Sequence, residues 1–168
     1  MVIRIFILVF VTGFLSACHQ SLLTNQPKMQ ELQAIPFNDQ TLAQFSWQLI
    51  EATDVNGKRI DALFLASESD QPITLKFAGK RRLYIGNLFC NINSIGIHFE
   101  DNRLYSKNPI IATMMGCPDD ITLRESTMIH DILATKPALY LQSSKGQIQL
   151  IIETPKKDKL IFNGSSDQ

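Results

Sequence analysis

The chain has 168 residues, and its 16 basic and 16 acidic side chains cancel to a formal net charge of zero. That balance excludes the broad basic field that nucleic-acid binding needs and leaves no acidic surplus for cationic partners. The length suits one domain with its own core, and no internal repeat of roughly 20 to 50 residues is visible.

Residues 1–17 read as a lipoprotein signal peptide. Arg4 gives a positive start, Ile5 to Phe14 form an apolar run too short for a membrane span, and Leu15-Ser16-Ala17-Cys18 supplies a small-residue exit. That ending resembles the bacterial lipobox, in which the cysteine sulfur receives a diacylglycerol and becomes the mature N-terminus. The expectation is lipidation of Cys18, with palmitate-type chains as the membrane anchor; the alternative is an ordinary signal cut nearby that leaves Cys18 a free thiol. His19 stands where Asp would mark inner-membrane retention, which favours the outer membrane, with the domain facing the periplasm. Residues 18–41 follow as lipid anchor and flexible tether, rich in Gln and bracketed by Pro27 and Pro36. A coil of roughly 25 residues spans about 25 to 30 Å. Met29, Leu32 and Ile35 leave open a helical turn inside it.

From Leu42 the pattern becomes β. Phe45, Trp47 and Leu49 alternate with Ser46 and Gln48, and Asn56-Gly57 signals a hairpin into a strand over 59–66. Ile73, Leu75 and Phe77 alternate before a turn at Gly79-Lys80, answered by a strand over 82–87. Ile95, Ile97 and Phe99 repeat the pattern, with Glu100-Asp101-Asn102 as the turn into 103–107. Short connections predict antiparallel neighbours. The stretch Thr113 to Asp120 then closes a strand, carries Cys117 and launches a helix over 122–134. Thr122 to Glu125 has capping-box spacing, Met128, Ile129, Ile132 and Leu133 make one apolar stripe, and Lys136-Pro137 ends the helix. Strands over 139–142, 148–153 and 160–162 complete the domain of residues 42–163, leaving 164–168 as a frayed polar tail. The fold class is α+β: a mainly antiparallel curved sheet or partly open β-barrel of seven or eight strands with one α-helix.

Behind an export signal, Cys90 and Cys117 read as a disulfide that staples the domain, closing a loop worth about 3 to 4 kcal/mol. Two buried, reduced thiols remain the alternative. Neither lies in a Cys-x-x-Cys motif, and the three histidines, His19, His98 and His130, lack ligand spacing, so neither a redox role nor a metal site is expected. Hydrolase, phosphate-loop and dinucleotide motifs are missing, so no catalytic residue and no cofactor are assigned.

Leu42 to Leu49, Gly86-Asn87-Leu88-Phe89-Cys90-Asn91, Thr113-Met114-Met115-Gly116-Cys117, Glu125 with Met128 and Ile129, and Leu160-Ile161-Phe162 together resemble the META domain of HslJ-like envelope proteins. The sequence departs at Phe89, where the family usually has glycine. The resemblance implies a small β-rich domain with one helix, sometimes compared with the cracked barrel of lipoproteins that pilot secretins. It also implies envelope stress and tolerance of toxic compounds, without an established catalytic activity. Three readings of the partner stay open besides the membrane: an unidentified envelope protein, a periplasmic hydrolase to be inhibited, or an acyl chain or other apolar ligand. For the last, Phe89, Tyr105, Met114, Met115, Met128 and Tyr140 are the candidate contacts, with simple core filling as the competing explanation.

Overall fold

The computed structural model describes residues 33–35, 37, 39–64, 71–78, 82–88, 94–106 and 118–166. Cys18 and the expected signal peptide, with Phe89, Cys90, Met114, Met115 and Cys117, lie outside the described residues.

Eight antiparallel strands form a ring-like sheet: β2 (Phe45–Thr53), β3 (Thr74–Ala78), β4 (Arg82–Gly86), β5 (Ser94–Glu100), β6 (Arg103–Ser106), β7 (Ala138–Ser144), β8 (Gln147–Glu153) and β9 (Lys159–Ser166). Each strand pairs with the next in sequence, and β9 returns to β2. Short turns join β5 to β6, β7 to β8 and β8 to β9, and left-handed residues sit in all three: Asp101 and Asn102, Lys145 and Gly146, and Lys157. The strand count, the antiparallel order and the accompanying helix agree with the sequence reading.

Alternation sends one side of every strand inward. Trp47, Leu49, Leu75, Phe77, Leu83, Ile85, Ile95, Ile97, Leu104, Leu139, Leu141, Leu150, Ile152, Leu160 and Phe162 are buried there. The outward side mixes polar and apolar residues, and an amide row runs across three of its strands: Gln142 Nε2 donates to Gln149 Oε1 at 2.9 Å, and Gln149 Nε2 donates to Asn163 Oδ1 at 3.0 Å. β2 is interrupted by an irregularity between Leu49 and Glu51, which leaves Ile50 and Glu51 both exposed and returns Ala52 to the buried side.

Five elements differ from the sequence reading. A short strand, β1 (Gln33–Ile35), pairs with β7 inside the expected tether, and a helical turn, α1 (Asp39–Ala43), follows it. After Asn56-Gly57 the chain makes only the bridge Thr53↔Arg59 before a 3-10 turn at Asp61–Phe64, because Asp54 Oδ1 accepts from the N–H groups of Asn56 and Lys58 and closes the loop on itself. The helix begins earlier than expected. α2 (Asp119–Ser126) widens into a π-helical segment, Thr127–Ile132, and tightens into a 3-10 turn, Leu133–Thr135. Thr122 therefore lies inside α2, and its hydroxyl donates to the Pro118 carbonyl instead of capping the helix. Finally, the expected tail is strand as far as Ser166, paired through Gly164↔Trp47 and Ser165↔Ser46.

The Gly164↔Trp47 pairing sets β9 directly against the indole. A Cβ on Gly164 would lie 2.8 Å from Trp47 Cζ3, against a fully buried ring. At Gly86 the obstructing atom is the rotatable Thr74 hydroxyl. Gly164→Ala should therefore cost about 1 to 3 kcal/mol in urea unfolding, with Gly86→Ala costing less. Equal losses at the two sites would contradict the packing described.

Candidate functional site

The ring has two distinct ends. One carries the β7–β8 turn, the end of β9 and the start of β2; the other carries the turns at 54–58 and 154–158 and is covered by α2 with its π segment. The inward stripe Met128, Ile129, Ile132 and Leu133 is buried in the core, as the apolar spacing of the helix requires.

Arg124 belongs to this helix end. It is only 2% exposed, and its Nη2 donates to the Gln71 carbonyl at 3.1 Å. Its Nε and Nη1 have no acceptor among the described residues. Desolvation lowers its pKa from the ordinary arginine value, but a guanidinium remains charged, so a cation is buried here on one hydrogen bond among the described residues. On the adjacent carbonyl, Pro72 O accepts from Asn87 Nδ2 at 3.0 Å. Asn87 is in the left-handed region (φ 58°), where its small amide side chain is tolerated. Two neighbouring carbonyls thus join the helix, through Arg124, to the end of β4, through Asn87.

Glu125 adds the opposite charge. Burial pushes its carboxyl above the ordinary value, and the field of His130 opposes that rise. In a plain α-helix, residues five apart diverge by about 140°. The π segment beginning at Thr127 reduces that angle, so His130 comes toward Glu125. The arrangement can offer a hydrogen-bonding cation and a carboxylate, and no nucleophile with an adjacent base is assembled among the described residues.

Of the proposed apolar contacts, the described ones, Tyr105, Met128 and Tyr140, do not share a face. Met128 is buried in the core. Tyr140 lies on the outer side of β7 at 46% exposure, between the inward residues Leu139 and Leu141. Tyr105 is also outward, paired across to His98, with the two rings stacked at 4.9 Å and Lys136 Nζ 5.2 Å from the tyrosine ring. Among the described members only Met128 faces the interior. Phe89, Met114 and Met115 lie outside the described residues, as do Cys90 and Cys117. Sequence reasoning missed Arg124, because an arginine on a helix ordinarily marks the solvent side.

Two outcomes follow. Arg124→Met, which keeps length without charge, should leave the melting temperature unchanged or raise it, by up to about 2 kcal/mol in stability, whereas Arg124→Ala should lower it by opening a cavity. For Glu125 the raised pKa means the folded state favours the protonated acid. Its contribution is therefore fully present below the unfolded pKa and is lost as pH rises through the folded one. Between about pH 4 and pH 7, urea titrations should show wild type losing ground to Glu125→Gln.

Comparison with known proteins accords with this geometry. The fold is similar to the NMR structure of a protein from Burkholderia xenovorans, with a TM-score of 0.58 and 20% identity, over 84% of this chain and 97% of that one. A search of curated proteins finds no match. A family model described as the META domain matches residues 40–167, which takes in the ring, α2 and the Arg124 region, and the chain belongs to the META-domain family.

Proposed function

We propose that this META-domain protein is an outer-membrane lipoprotein that acts by binding another envelope protein, in a non-catalytic role in stress or toxic-compound tolerance. The observation that carries binding at the surface is the occupation of the ring by its own side chains: Trp47, Phe77, Phe162 and Met128 all lie inside with at most 2% exposure. With Tyr105 and Tyr140 turned outward, the acyl-chain alternative draws no support from the described contacts. Exposed apolar side chains such as Ile50, Leu123 and Tyr140 are instead available to a partner. Membrane attachment rests on the Leu15-Ser16-Ala17-Cys18 ending and on His19, and a Cys90–Cys117 disulfide fits the same compartment.

Palmitate labelling of the full chain in a bacterial host should mark the wild type and spare Cys18→Ser, with the label in the outer-membrane fraction. An unlabelled wild type would remove the anchor. Capture from envelope extract by the acylated protein should yield a discrete protein partner; recovery of a lipid alone would return the ligand reading. Thiol titration before reduction should find neither Cys90 nor Cys117 reactive, and two titratable thiols there would rule out the bridge.

A further inference from the structure

β1 fixes where the N-terminal chain reaches the ring. Gln33 pairs with Ser143 and Ile35 with Leu141, in antiparallel sense, so the N-terminal end of β1 lies at the side of the β7–β8 turn, Lys145 and Gly146. Phe45↔Ser166 places the start of β2 and the end of β9 at this same end. The helix covers the opposite end, where Arg124 reaches the Gln71 carbonyl ahead of β3 and the chain turns through residues 154–158 between β8 and β9. The direction of attachment is therefore set by the register of a three-residue strand.

Pairing at Gln33 also shortens the tether. As the coil its polar composition implies, the stretch of about 14 residues between Cys18 and Gln33 spans about 20 Å on average. A compact domain of this size is about 35 Å across. A tether shorter than the domain cannot leave both ends equally distant from its anchor. At the near end, Ser144, Gln147, Ser165 and Ser166 are uncharged and Lys145 is an exposed cation, a surface compatible with anionic phospholipid headgroups.

We propose that the domain stands on the membrane with its β7–β8 turn toward the lipid headgroups and displays its helix end, with Leu123 and the Arg124 region, to the periplasm. This orientation rests on lipidation of Cys18. It makes the phospholipid surface the partner of the hairpin end and reserves the helix end for a protein partner.

The test uses the full chain purified with its acyl groups from a bacterial host. It is placed in phosphatidylethanolamine and phosphatidylglycerol vesicles carrying a headgroup spin-labelled lipid. A coumarin amino acid replaces either Gln147, at the start of β8, or Leu123, which is 53% exposed on α2. Quenching should be several-fold stronger at position 147 than at 123. A Gly/Ser insertion of roughly 30 residues between Asn25 and Gln26 should erase the difference. Equal quenching, or stronger quenching at 123, overturns the orientation, and a difference that survives the insertion overturns the tether as its cause. An intact mass without acyl groups overturns the anchor and the orientation together, whereas an acylated protein with equal quenching overturns the orientation alone.

Discussion

Burial of the Trp47 indole is the constraint on which the ring depends. Its Nε1 donates to the Leu42 carbonyl at 2.9 Å, so the largest side chain in the core enters without an orphaned donor. That one bond ties α1 to β2 across five residues. Phe45 packs on the indole at 5.3 Å, and Gly164 on β9 leaves room for its edge. Removing an indole from water is worth about 4 to 6 kcal/mol as an upper bound, comparable with the whole margin of a small domain. Closure of the sheet between β9 and β2 follows, because the strand bearing Gly164 is the one that covers Trp47.

The parts of this fold that were legible share a property: their side chains alternate between water and core. Phe45 to Leu49, Ile73 to Phe77 and Ile95 to Phe99 carry that period, and all three lie in or beside ring strands. What was not legible is held by the backbone or by tertiary context. Three residues, Gln33 to Ile35, are too few to show a period, and their strand exists because β7 has a free edge there. Asn163-Gly164-Ser165-Ser166 has poor strand propensity, yet β2 supplies a partner for its backbone and Trp47 excludes any side chain at 164. The widening at Thr127 likewise has no signature in a stripe that an ordinary helix would satisfy.

The candidate site divides along the same line. Asn87, Glu125, Met128 and Ile129 stood out through the family resemblance, and they lie in or beside the helix end. Arg124 did not stand out, since its burial depends on Gln71, more than 50 positions away in sequence. Sequence motifs record which residues a family keeps in order. They do not record that a guanidinium and an amide will converge on adjacent carbonyls.

Among the described residues, the ring is thinnest between β6 and β7, where the single pair is Arg103↔Ala138. Two backbone hydrogen bonds flank it, from Leu104 N–H to the Pro137 carbonyl and from Leu139 N–H to the Asn102 carbonyl. Arg103 Nη1 adds a third link to the carbonyl of Lys136, the left-handed residue that ends the helical segment. The segment that covers one end of the ring is thus also the connection that brings β7 to β6. Displacing α2 would disturb both the cover over Met128 and the seam, since both depend on where Lys136 and Pro137 are held. A partner docking on the helix end would therefore act on the one stretch of chain that couples the core to the closure of the sheet.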